Sequence, residues 1–462
     1  MAQKRSLTEG NVYKTLLGFS IPFMLAQLLQ ALYGAVDLMV VGQFAETADV
    51  SAVSMGSQIM YMASLAILGF AAAVTVVMGQ YFGAKQTEKL SKTLGASVAF
   101  FIVMGLLLMI CMVLLRVPVV RVMNTPAEAV PPALDYILVC SFGLPFVGGY
   151  NVVCSILRGM GDSRTPLLFV SIACVINIVL DIVLVKDFGL GAWGAAFATS
   201  FAQGMSFLFA LIYLWRKGLG FPFCLRDVGF HWEQLKNILK IGAPMVLQNS
   251  LTEVSFLLIT MIINGMGVVV SAAVGVVGKL VSFLFIPTIG MSMAVSAMCA
   301  QNFGAGRYDR ARQAMKGGIL FSGILGIAAT LCSLLFGRQM LRLFTSDLSV
   351  LEHAVLYLQS YSFDCILVAI VFNMNGYFNG FGRSFFTMAH NLAATFCGRI
   401  PLTFLFSRLP GVTLREMGIA VPVSTLISVI LCLWYLRRVN RQFASGSQTQ
   451  INDKKQEEKE RL

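Results

Sequence analysis

Stretches of about 20 apolar residues, the length needed to cross a bilayer, recur along nearly the whole of this chain, including 96–115, 167–185, 197–214, 319–336 and 421–436. Hydrophobic residues make up 57% of the sequence and charged residues only 12%, against about 25% charged in an ordinary soluble domain. A soluble fold cannot bury that much apolar surface, so the chain reads as an all-α polytopic membrane protein. The first ten residues are polar, with Lys4 and Arg5 and no signal-peptide pattern. The segment from 441 onward is charged and Gln-rich, and is expected to be a disordered cytoplasmic tail.

The formal charge of +12 would suggest nucleic acid in a soluble protein, but the distribution of the basic residues points elsewhere. One set of alternate connections holds Lys85, Lys89, Lys92, Arg158, Arg164, Arg216, Lys217, Arg226, Lys236, Lys240, Arg307, Arg310, Arg312, Lys316 and Arg383. The opposite set holds only Arg116, Arg121, Lys186, Arg338, Arg342, Arg408 and Arg415. The positive-inside rule makes the rich set cytoplasmic. That set lies on the side of Lys4, Arg5 and Lys14 and of Arg437, Arg438 and Arg441, so both termini are expected inside the cell membrane and the number of spans is even. The charge then marks topology and attraction to anionic lipid rather than nucleic acid.

The most informative pattern is an internal repeat. Gln80-Tyr81-Phe82-Gly83-Ala84 returns as Gln301-Asn302-Phe303-Gly304-Ala305, 221 residues on. At the same offset of 221, Gly159-Met160-Gly161-Asp162-Ser163 returns as Gly380-Phe381-Gly382-Arg383-Ser384. Ile21-Pro22 corresponds to Ala243-Pro244, and Gly194 to Gly418. Twelve transmembrane helices follow, in two six-helix lobes: roughly 13–41, 47–80, 91–116, 132–157, 164–185 and 191–215, then 234–264, 269–302, 314–336, 352–379, 385–407 and 413–437. The first lobe is 13–215 after an N-terminal segment 1–12; a cytoplasmic linker, 216–233, leads to the second lobe, 234–440. With six spans per half the lobes are parallel repeats, the arrangement in which a central site is exposed alternately to either side.

Ionisable groups at bilayer depth are costly and mark functional sites. Asp37 lies in the first span; Asn177 and Asp181 are four residues apart in the fifth, on one helix face; Thr199 is in the sixth. Two carboxylates, an amide oxygen and a hydroxyl can surround a small hard cation or share a proton. Either aspartate could instead satisfy polar backbone at a helix break. Pro22 stands fifteen residues before Asp37 in the same span, where proline removes a helix hydrogen bond and kinks the helix. Pro244 repeats it, but Ile259 stands where Asp37 would fall. The second lobe carries its own buried charges, Glu253, Lys279, Asp364 and Arg399. Internal ion pairs are the favoured reading of these four, over a second cation site.

Pro22 with Asp37, the QxFGA element ending spans two and eight, the Arg158-Gly159-Met160-Gly161-Asp162 turn and the Asn177/Asp181 pair resemble, in order and on a two-times-six repeat, the multidrug and toxic compound extrusion (MATE) family. The resemblance covers residues 10–440. It implies a secondary active multidrug efflux transporter: cation and organic substrate exchanged as an antiport by alternating access, with no cofactor beyond a coupling H⁺ or Na⁺. It implies a cation site at Asp37, Asn177, Asp181 and Thr199, with Pro22 bending the first helix as a gate. The acidic first lobe favours small lipophilic organic cations as substrates, in a monomer surrounded by membrane lipid. A lipid-linked oligosaccharide flippase is the rival transporter. A membrane-embedded enzyme is the rival from another class, but His231, His353 and His390 form no HExxH or nucleophile-base constellation, and Gly159-Met160-Gly161 lacks the strand and third glycine of a dinucleotide site. The ten cysteines are scattered, without a CxxC.

Overall fold

In a bilayer every backbone polar group must be satisfied within the protein, which leaves helices or closed barrels; apolar runs of about 20 residues, twice the length of a barrel strand, select helices. The structure, a computed structural model, describes residues 6–218, 220–223 and 227–461, with side chains through 439 and at 441. Lys4, Arg5 and Arg226 lie outside the described residues. Among those described, every regular element is helical.

The first lobe consists of α1 (Val12–Phe44), α2 (Thr47–Gly83), α3 (Thr87–Val122), α4 (Val130–Gly159), α5 (Arg164–Asp181) and α6 (Gly191–Lys217). The second consists of α7 (Trp232–Asn264), α8 (Val268–Gly304), α9 (Tyr308–Arg342), α10 (Leu348–Tyr361), α11 (Asp364–Gly380), α12 (Ser384–Ala393), α13 (Ile400–Arg408) and α14 (Leu414–Arg461). Ten of the described helices are long and apolar enough to cross a membrane, eleven if the bent pair α10 and α11 is one span. The remaining rod, 384–408, stands where the repeat puts the eleventh crossing; His390, Asn391 and Arg399 lower its apolar character. Apolar side chains such as Leu114 and Leu335 point outward, 71% and 70% exposed, as a lipid-facing surface requires.

The repeated turns have a common backbone cause. Gly161 and Gly382 both take positive φ, +89° and +71°, a conformation that side chains with a Cβ rarely adopt. The turns therefore keep glycine in both halves. Asp162 then accepts from the amides of Arg164 and Thr165 at 3.1 and 3.0 Å, starting α5.

The lobes interlock at the end carrying the basic connections. The start of α1, with Leu16, Phe19 and Phe23, packs into the second lobe's core against Met291, Val295 and Met298. Reciprocally, Ile238 and Ile241 of α7 enter the first lobe's core. The close inter-lobe approaches of Gly69 to Val246, Gly290 to Met24 and Gly317 to Tyr13 all fall in this same half of the molecule.

Three elements depart from the sequence reading. The span expected over 352–379 is broken at Ser362-Phe363 and bends by 49°. At the break the Ser362 carbonyl accepts both Thr330 Oγ1, at 2.8 Å, and the Cys365 amide, at 3.1 Å. Spans five and eleven each contain a widened turn with π-helical bonding, Ile182–Asp187 and Ala394–Arg399. Helical backbone also continues to Arg461, although disorder was expected from 441. The segment Lys454 to Arg461 is made of Lys, Gln, Glu and Arg, which are good helix formers.

The break is held tightly from α9. A Cβ on Gly326 would lie 2.5 Å from the Cys365 carbonyl oxygen, whereas one on Gly323 meets nothing within 4 Å. Gly326→Ala is expected to destabilise the purified protein by about 1–3 kcal/mol through overpacking. Gly323→Ala should leave it unchanged or slightly stabilised, because alanine is the better helix former. Thermal unfolding followed by intrinsic fluorescence separates the two; equal midpoints would contradict the packing.

Candidate functional site

The polar residues of the first lobe come together between α1, α5 and α6. Asn177 and Asp181 are one turn apart near the end of α5, both essentially inaccessible, and Asp37 on α1 is also buried. The Asp37 and Asp181 carboxyls are close enough to interact with each other. Asn177 Nδ2 donates to Thr199 Oγ1 of α6 at 3.3 Å. Asp181 is the last residue before the widened turn, a backbone irregularity that often accompanies functional sites.

The oxygens of this cluster lack donors. Asp37 Oδ1, Asn177 Oδ1 and both carboxyl oxygens of Asp181 are buried without a hydrogen-bond partner. Leaving a buried acceptor unmade costs about 1–3 kcal/mol, more when it is charged. Two carboxylates side by side also repel. A cation or a shared proton relieves both problems, and hard oxygen donors suit H⁺ or Na⁺. The residues therefore fit the group that the sequence implied, whereas a structural role at a helix break would leave these oxygens bonded to backbone.

Next to the cluster, α1, α4, α5 and α6 form a small, partly open pocket of about 20 Å³, room for about one water, lined by Gln30, Tyr33, Tyr150, Asn177, Thr199 and Gln203 among others. Gln30, Tyr33, Tyr150 and Gln203 are not among the site residues named from the sequence. The signal was present for three of them. Gln30 and Tyr33 precede Asp37 by seven and four residues, and Gln203 follows Thr199 by four, so each shares a helix face with a named site residue. Pro22 is buried within α1, which passes it as one continuous helix.

The second lobe is arranged differently. Among the described residues no salt bridge joins any two of Glu253, Lys279, Asp364 and Arg399, contrary to the expected ion pairs. Arg399 instead donates to the Tyr361 hydroxyl at 3.3 Å and lies 4.8 Å from the Phe256 ring centroid, a cation–π contact. Asp364 is buried at the start of α11, with Oδ1 unpartnered, and Thr425 and Arg399 are its polar neighbours. Lys279 is exposed and Glu253 half-buried. The break between α10 and α11 puts Tyr361, rather than a carboxylate, against the guanidinium. His390 is part of a separate buried network: Nε2 meets Asn375 Oδ1 at 2.8 Å and Cys432 Sγ at 3.4 Å, and Nδ1 meets Ser428 Oγ at 3.3 Å.

Two parallel helical lobes around buried acidic groups define a membrane transporter. A MatE family model matches residues 22–183 and again 244–405, one copy per lobe, and the chain belongs to that family. The probable multidrug resistance protein YpnP of Bacillus subtilis is 29% identical over 93% of this chain and 96% of its own length. The multidrug export protein MepA of Staphylococcus aureus is 25% identical over 93% and 95%. A crystal structure of a MATE protein in the bent conformation superposes with a TM-score of 0.91 at 21% identity, covering 97% of this chain and 99% of that one. These relatives are transporters, not enzymes.

A buried carboxylate without donors is costly, and its amide isostere carries its own. Asp181→Asn is therefore expected to raise the thermal midpoint in sodium-free alkaline buffer, by about 1 kcal/mol of stability. Asn177→Leu, which removes the bond to Thr199, should lower it. A lower midpoint for Asp181→Asn would show that its oxygens are already satisfied.

Proposed function

We propose that this protein is a secondary active exporter that exchanges an external cation, H⁺ or Na⁺, for a small lipophilic organic cation by alternating access of its two lobes. The observation that carries the reading is the donor-free oxygen cluster of Asp37, Asn177 and Asp181 beside a cavity in one lobe. With the basic connections cytoplasmic, the interlocked end is the cytoplasmic one and the site opens toward the exterior. Both termini then lie on the cytoplasmic side of the cell membrane.

The inorganic ion is held by Asp37, Asp181, Asn177 and Thr199. When the adjoining pocket widens during the cycle, an organic cation entering it meets Tyr33 and Tyr150 and the amides of Gln30 and Gln203. Both ligands draw on the same two negative charges, so binding of one weakens the other by a reciprocal factor, typically 5–150-fold. That mutual exclusion is what antiport requires. Pro22, toward the cytoplasmic end of α1, is where the helix can bend as the charge at Asp37 changes. None of the named cavity residues is basic, which disfavours a phosphate-bearing lipid-linked substrate. The protein is proposed to act as a monomer within membrane lipid.

In proteoliposomes with pH and Na⁺ gradients imposed separately, one gradient should drive efflux of a fluorescent organic cation. Asp37→Asn should reduce that rate to the protein-free background while expression is unchanged. Full gradient-driven transport by Asp37→Asn would refute the site, and transport indifferent to both gradients would refute coupling.

A further inference from the structure

The repeated QxFGA elements carry a feature that the cation site does not explain. Gln80, near the end of α2 in the first lobe, donates from Nε2 to the carbonyl of Gly380 in the second lobe at 2.9 Å. Gln301, its repeat near the end of α8, donates from Nε2 to the carbonyl of Gly159 in the first lobe at 2.7 Å. Each glutamine therefore caps the last residue of a helix in the opposite lobe, α11 or α4. These are helix-end carbonyls, which have no intrahelical partner and carry negative partial charge. The amides after α4 go to other acceptors: Met160 to Ile156, Gly161 to Arg158 and Asp162 to Leu157. The pattern after α11 is the same: Phe381 to Tyr377, Gly382 to Asn379 and Arg383 to Phe378.

The elements also interlock with each other. A Cβ on Gly83 would fall 1.9 Å from the Gln301 carbonyl oxygen, and one on Gly304 would fall 1.9 Å from that of Gln80. The residue after each glutamine completes the exchange. The Tyr81 hydroxyl accepts from Asn237 Nδ2 of α7 at 3.0 Å, and Asn302 Nδ2 donates to the Leu7 carbonyl, just ahead of α1, at 3.2 Å. Gln301 Oε1 also accepts the Leu7 amide at 3.1 Å. The motif thus makes one reciprocal set of bonds across the pseudo-twofold axis, all at the interlocked end.

We propose that Gln80 and Gln301 are the paired latch residues of the transport cycle: their amides hold the two lobes together at the basic end and release when that end opens to admit substrate. This rests on the alternating-access reading above. Neutral hydrogen bonds suit the task in magnitude. Each shifts an equilibrium by about 2- to 10-fold net, so the pair contributes about 4- to 100-fold. Ligand coupling of 5–150-fold can reverse that.

Hydrogen–deuterium exchange read by mass spectrometry on the purified full-length protein tests the latch without substrate or ion gradient. Gln80→Leu should speed exchange in peptides covering 155–163 and 299–306, which its side chain does not bond, by about 2- to 10-fold. Gln301→Leu should do the same in peptides covering 78–86 and 376–384. The double variant should approach the product of the two, with elution volume and thermal unfolding still those of a folded protein. Gly83→Ala, which forces the backbones apart, should open the same peptides at least as much. Unchanged exchange in the remote peptides of both single variants and the double variant would overturn the proposal. Those rates do not depend on Asp37, so failure of the latch and failure of the antiport reading are separately visible.

Discussion

The organisation of this protein depends on the cost of keeping oxygen acceptors without donors in a medium that offers no water. Asp37, Asn177 and Asp181 present such oxygens inside the first lobe. A charge at the centre of a membrane helix costs about 2.5–3.5 kcal/mol even on the mildest scales. Such groups are tolerable when a mobile cation completes them for part of the cycle. The surroundings support this: the fifth helix widens directly after Asp181, and the adjoining cavity is lined by amides and phenols rather than by compensating lysine or arginine.

In the proposed cycle the interlocked end is the second element, the interface that closes and opens. The starts of α1 and α7 exchange between the lobes' cores, and the QxFGA glutamines bond across the axis between them. α1 belongs to both structures, since its first half packs on the second lobe and its second half carries Asp37. Charge at the site and packing at the interlocked end therefore act on one helix, with Pro22 inside its packed segment. That continuity is a physical route for coupling, as distinct from mere nearness of two sites.

Much of this was legible in the sequence because the repeat fixes it. Two motifs at one offset gave the twofold division, and helical spacing put Asn177 and Asp181 on one face. What escaped came from tertiary context. Nothing local to Ser362 and Phe363 signals a 49° bend; the break is stabilised by Thr330 of a neighbouring helix. The same break turns Tyr361 toward Arg399, so the second lobe's charges do not pair as their opposite signs suggested. The cross-lobe role of Gln80 and Gln301 was equally hidden, because a repeated motif shows symmetry but not which partner it contacts. Gln30 and Gln203, by contrast, share faces with Asp37 and Thr199 and could have been read.

The claim that organic and inorganic cations compete for one acidic cluster is tested most directly by equilibrium binding. A fluorescent organic cation bound to the purified protein should be displaced by acidification or by Na⁺ with a competitive dependence, and that displacement should vanish in the Asp37→Asn/Asp181→Asn double variant. Organic-cation affinity independent of both pH and Na⁺ in the wild-type protein, or displacement that persists unchanged in the double variant, would contradict it.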